Sequence, residues 1–220
     1  MRWLLDTYHL IVDFRKRSIT RLLKEIFRKT TVVFAERRCL GHLLFFRITA
    51  DKMMSEAHFA LACRQIAFAR DYTHSLLVDV HEGQWFEQPH GAPTHLAWQI
   101  GHLAMSQYML TLFRVRGQQP EDDLLISKQF KRLFAKGTVP GPKQTYPVIT
   151  EILDVFQRVH DQVMQELPKI DLASLQESVV MPYAVYNTRL GSLLFCSAHE
   201  MLHAGQIGLI RRLLGGHPIR

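Results

Sequence analysis

The string His199-Glu200-Met201-Leu202-His203, followed by Ala204-Gly205-Gln206-Ile207, holds the residue types best suited to chemistry. Two histidines four apart on a helix stand one turn from each other on one face. Their ring nitrogens can then serve one divalent ion, and imidazole suits zinc, nickel, copper and iron. The string also spells HExxH, the spacing of zinc peptidases, in which the glutamate acts as general base. A catalytic zinc site takes three protein ligands and keeps a fourth position open, so the third ligand discriminates between readings. The extended peptidase pattern would need glycine at 206 and histidine at 209, where the chain has Gln206 and Leu209. No Asp or Glu follows Glu200, and the one histidine after His203 is His217, close to the end. The peptidase reading therefore lacks a good third ligand.

Upstream, His102 sits in Leu96-Ala97-Trp98-Gln99-Ile100-Gly101-His102-Leu103-Ala104. On a helix its face also carries His95, Trp98, Gln99, Met105, Ser106 and Met109, polar groups among large apolar ones. One imidazole from one helix and an i, i+4 pair from another make a three-nitrogen site in a bundle core. The plainer alternative is three core histidines satisfied by their neighbours. Glu200 lies about 100° around the helix from His199; it is a candidate base, or else a carboxylate that supports a ligand or faces solvent. Cys196 shares the face of His199 and reads better as a small buried hydrophobe than as a thiolate ligand. Gln206 is expected to hydrogen-bond within the bundle or to orient a ligand, and Gly101 and Gly205 to allow close packing. His95, about 10 Å along the helix from His102, would line a pocket mouth without sharing the metal. Met105 and Met109 read as core packing.

Positioning these residues falls to four long helices. Apolar recurrence at Cys63, Ile66, Ala69, Thr73, Leu76 and Val80 predicts the first over about 56–80. Thr94 opens a second, which runs to about Arg116 with Gly117 just beyond its end. A polar connection rich in Pro and Gly follows, with a short helix at about 122–135. Val148, Ile152, Val155, Val159 and Val163 predict a third long helix, from about 146 to Leu167 and stopped by Pro168. Asn187 or Thr188 caps the fourth, which ends at Leu214 before Gly215-Gly216. With no convincing alternating strand run, the expected fold is an all-α four-helix bundle.

Composition agrees with an ordinary globular chain, 47% apolar and 21% charged. The net charge of +7 is unevenly placed. Residues 1–52 hold 12 Lys and Arg against 5 Asp and Glu, whereas residues 53–220 hold 15 of each. Phosphate-backbone affinity needs concentrated cations, so nucleic acid is not an expected partner of residues 54–220. Residues 1–53 read in two ways: a basic amphipathic arm on an anionic surface, or a stretch that is not translated, with the start at Met53 or Met54. Cys39, Cys63 and Cys196 form no CxxC pair, which fits a reducing cytoplasm. No apolar run approaches a membrane span; even Val179 to Tyr186 is short and holds Pro182.

Ile100-Gly101-His102-Leu103-Ala104, together with His199-Glu200-Met201-Leu202-His203-Ala204-Gly205-Gln206-Ile207 and Arg211-Arg212, resembles the DinB-like (YfiT-type) metalloprotein superfamily. The resemblance covers about 54–220 and has no counterpart for 1–52. It implies a four-helix bundle with a divalent metal, zinc or nickel, on His102, His199 and His203. It further implies a small-molecule substrate and a reaction among metal-dependent hydrolysis, transfer to or from a low-molecular-weight thiol cosubstrate, and thiol-dependent isomerisation. A shared fold does not choose among these. The non-enzymatic alternative is a metal-binding stress protein whose ion clamps the bundle. A homodimer is left open.

Overall fold

A computed structural model describes the backbone of residues 37–179 and 187–219, with side chains for residues 56–179 and 187–219. The readings for residues 1–36, for the Cys39 thiol and for Pro182 lie outside the described residues. The chain divides into two compact units, Met1–Lys52 and Met53–Arg220, and all candidate site residues belong to the second.

The architecture is all-α. Helix α1 spans Arg37–Ser75. Helix α2 begins as Leu96–Gln107, passes through a π-helical segment, Tyr108–Phe113, and closes with Arg114–Arg116. Two short helices follow, α3 at Asp122–Leu125 and α4 at Lys128–Leu133. Helix α5 spans Ile149–Glu166 and α6 spans Arg189–Leu213. The β pairing among the described residues is one isolated bridge, Ser178 with Thr188.

Local chemistry explains most boundaries. Helix α1 begins well before the expected residue 56, because neither Gly nor Pro occurs between Gly41 and Gly83 to stop it. It ends at Ser75 rather than Val80, and Leu76 to Val80 continue in separate turns. At α2 the N-cap is His95, one residue past the expected Thr94: its Nδ1 accepts from the Trp98 backbone N–H at 3.1 Å. Gly117, at φ +81°, ends that helix in the left-handed region. Thr188 caps α6, accepting from the Gly191 N–H at 3.0 Å, and Gly215 terminates it at φ +89°. The helix expected at 122–135 is instead two, because the chain leaves helical geometry at Ile126 and restarts on the Ser127 cap. Helix α5 starts at Ile149 rather than 146, and Pro168 lies within a 3₁₀ turn, Leu167–Lys169, that ends it.

The long helices share one apolar core. Ile66 of α1, Ile100 and Leu103 of α2, Ile152, Phe156 and Val159 of α5, and Leu193 and Ile207 of α6 are all buried in it. Each such side chain contributes roughly 1.5–3 kcal/mol. Arg70 is also inside, 1% exposed. Its Nε donates to Glu200 Oε1 at 2.8 Å, its Nη1 to the Phe156 carbonyl at 2.7 Å and its Nη2 to Gln107 Oε1 at 2.7 Å. The guanidinium carbon also lies 3.5 Å above the Phe156 ring. One guanidinium thus ties α1 to α2, α5 and α6. A buried charge is tolerated only when so fully paired.

Candidate metal centre

His102 enters from α2, and His199 and His203 enter one turn apart from α6. The rings are mutually close, with centroids 5.3 Å apart for His102–His199, 4.7 Å for His102–His203 and 4.6 Å for His199–His203. One nitrogen from each lies within 4.8 Å of the others, a grouping compatible with one ion.

Two of the three rings are oriented by hydrogen bonds that fix the tautomer. The Phe134 carbonyl lies 2.8 Å from His102 Nδ1 and can only accept, so Nδ1 carries the proton and Nε2 keeps its lone pair. Ser106 Oγ lies 3.3 Å from that Nε2. His203 Nδ1 donates to Gln99 Oε1 at 2.6 Å, again freeing Nε2. Gln99 is held in turn, its amide N–H groups donating to Thr94 Oγ1 at 2.6 Å and to Gln206 Oε1 at 2.9 Å. Metal-binding histidines characteristically have their second nitrogen anchored in this way.

The approach of Phe134 depends on Gly101. A Cβ built at Gly101 would lie 2.3 Å from the Phe134 ring, so only glycine leaves room for it. The close neighbour expected at Gly101 is therefore this ring, at the end of α4, rather than another long helix. Trp98 closes the other side, stacked on His102 at 4.8 Å and 7°. Its Nε1 donates to Thr138 Oγ1 at 3.0 Å. Phe134 and Thr138 thereby hold one strap of chain against the site.

Burial sets the electrostatics. It holds the His102 pKa below the usual imidazole range. It pushes His199 down to about 4, helped by the charges of His102 and Lys136. His203 falls to about 3, through burial first and then its two neighbouring histidines. All three are neutral at pH 7, the state that donates to a metal.

Glu200, the candidate base, does not join the histidine group. It is 2% exposed, and both its carboxylate oxygens face Arg70, at 2.8 and 3.3 Å. Cys196 is buried and outside the group, and burial raises its thiol pKa steeply, as suits a small core hydrophobe. His95 is buried as the cap of α2 rather than exposed at a pocket mouth. Gln206 Oε1 accepts from the amide of Gln99, the residue that holds His203 Nδ1. Arg70 was legible as a cation four residues after Ile66 and three before Thr73, inside an apolar stripe. The Phe134 carbonyl had no sequence signal.

Beside His102, a cavity of about 190 Å³ opens between α2 and the strap. Met105, Met109 and Leu110 form its apolar wall. The π-helical segment begins within this wall, where the Ser192 hydroxyl donates to the Leu110 carbonyl at 2.6 Å. Such segments recur at functional sites. No helix among the described residues is long and apolar enough to cross a membrane.

The family model of the DinB superfamily matches residues 65–207, a stretch that takes in His102 and both histidines of α6. No curated protein matches the chain.

Proposed function

The chain belongs to the DinB superfamily, and from that premise we propose that it is a metal-dependent enzyme acting on a small molecule through one divalent ion on His102, His199 and His203. The observation that carries this reading is the convergence of three neutral imidazoles, two of them with Nδ1 anchored so that Nε2 stays available. Nitrogen donors of this kind suit zinc or nickel. When bound, the ion would supply Lewis acidity to a substrate oxygen, a water or a thiol. Three protein ligands leave a coordination position for one of these.

The chain's own residues do the remaining work. Phe134 and Gln99 hold the ligand rings in register, while Trp98 covers one face of His102 and keeps bulk water from it. Arg70 holds the Glu200 carboxylate, so Glu200 serves to position α6 and not as the base. Hydrolysis and thiol-dependent transfer both remain within this reading, with a low-molecular-weight thiol as cosubstrate in the second. The cavity against His102 favours an enzyme over a protein whose ion merely clamps α2 to α6.

Purified protein reloaded separately with zinc and nickel should hold one ion per chain, and His102→Ala and His203→Ala should hold none. Loaded protein should then turn over a member of a panel of small electrophiles, with or without added thiols. Failure to retain a stoichiometric ion rejects the proposal. A retained ion without turnover across the panel favours the clamp.

A further inference from the structure

Ser106 stands one turn after His102 on α2, and its hydroxyl takes an unusual direction. Thr73, Thr111 and Ser197 each donate to a carbonyl three or four residues back along their own helices. That is the ordinary way for a helical hydroxyl to satisfy itself. Ser106 Oγ instead lies 3.3 Å from Nε2 of His102. The Phe134 carbonyl keeps the proton on Nδ1, so Nε2 can only accept, and the Ser106 hydroxyl is the donor. It therefore occupies the same lone pair that His102 has for an ion. Among the described residues the hydroxyl has no second partner. Ser106 is nevertheless buried, 8% exposed, and it lines the cavity of about 190 Å³ together with Met105, Met109, Leu110 and Ala135. Arg114 and Lys136 border that cavity with interactions of their own.

We propose that Ser106 is a latch that couples ion binding to occupancy of the cavity. In metal-free protein its hydroxyl closes the Nε2 lone pair of His102. Once His102 gives that lone pair to an ion, the hydroxyl loses its acceptor, and a buried donor left unpaired is costly. Ser106 then donates into the cavity, to a small uncharged molecule that carries an acceptor oxygen such as a carbonyl. The apolar body of that molecule lies along Met105, Met109 and Leu110, a wall that offers a charge no hydrogen bonds. The occupant is the substrate of the enzyme proposed above, and the inference rests on that reading for the ion. By linkage, ion and occupant strengthen each other's binding by one common factor.

Zinc affinity of the full chain and of Ser106→Ala, measured by competition with a chromophoric chelator, tests the latch. Binding of 2-pentanone to metal-free and zinc-loaded protein, followed by NMR titration, tests the occupant. One neutral hydrogen bond corresponds to about 2- to 10-fold in affinity. Ser106→Ala should therefore bind zinc about 2- to 10-fold more tightly than wild type, because no hydroxyl has to be displaced. A serine that merely supported His102 would weaken zinc when removed, so the direction of the change separates the two roles. Zinc should tighten 2-pentanone binding to wild type by about 2- to 10-fold and leave its binding to Ser106→Ala unchanged. Equal or weaker zinc affinity in Ser106→Ala would overturn the latch while the metal site stands. So would a zinc effect on the ketone that survives in Ser106→Ala, or zinc-loaded protein that binds no ketone. Wild-type protein that retains no zinc would instead overturn the metal reading, and the latch with it.

Discussion

Gly101→Ala is the substitution most informative about how the site is built. The new methyl carbon would lie 2.3 to 2.6 Å from three atoms of the Phe134 ring, whereas ordinary contacts begin at 3.4 Å. Something must therefore move by about 1.1 Å, the difference between 3.4 and 2.3 Å. The nearest atoms include Cγ, which turning the ring about the Cβ–Cγ bond leaves in place, and the ring is fully buried, so rotating it away is not an inexpensive escape. Overpacking of this kind costs roughly 1–3 kcal/mol. Displacing Phe134 also moves the carbonyl that holds His102 Nδ1 at 2.8 Å. Loss of such a supporting contact typically lowers metal affinity about 10- to 100-fold. Zinc affinity measured against a chromophoric chelator, beside urea unfolding of the metal-free protein, reads both effects. Gly205→Ala is the control: nothing lies within 4 Å of its Cβ position, so removing a mid-helix glycine should stabilise by about 0.5–1 kcal/mol. Wild-type zinc affinity and stability in Gly101→Ala would refute the account of how His102 is oriented.

Breaking the buried pair by Glu200→Gln or Arg70→Met should destabilise by about 3–5 kcal/mol, whereas Arg70→Met with Glu200→Leu should recover much of this in urea unfolding. If Glu200 positions α6, zinc stoichiometry should survive Glu200→Gln in whatever protein remains folded; loss of zinc from folded protein would contradict that. Gln99→Leu, which removes the acceptor of His203 Nδ1, should weaken zinc about 10- to 100-fold, and Gln206→Ala should do so less. Acid should also loosen α2. Burial pushes the His95 pKa down to about 4, so the unfolded chain takes the proton more readily than the folded one. That contribution to stability is whole above pH about 6.5 and is lost as pH falls towards 4, by on the order of 3 kcal/mol. His95→Asn keeps a capping acceptor without titrating, and should flatten this part of the urea-unfolding profile between pH 7 and 4.

Some of the fold is a local property and was legible in the sequence. The i, i+4 spacing places His199 and His203 on one face of any helix that contains them, whatever surrounds it. Thr188, Gly117 and Gly215 act on their own helix ends, so those boundaries matched. Where a signal was ambiguous the reading slipped: Thr94 and His95 compete for one cap, and a helix without breakers has no marked start. The all-α class follows from apolar recurrence at helical spacing along the chain.

The site itself is decided by contacts remote in sequence. His102 meets the α6 pair only because the bundle folds, and its usable nitrogen is chosen by a carbonyl 32 residues away. A backbone carbonyl carries no residue-type signature, so no pattern in the sequence could announce Phe134. Gln99 reaches His203 across 104 residues, and Arg70 takes Glu200 across 130. The last contact shows the division most clearly. HExxH spacing alone cannot say where its glutamate points, because helical periodicity sets the angle around α6 but not what occupies that direction. Here α1 supplies a buried guanidinium there, and the strongest partner for a carboxylate in a low-dielectric interior is that charge.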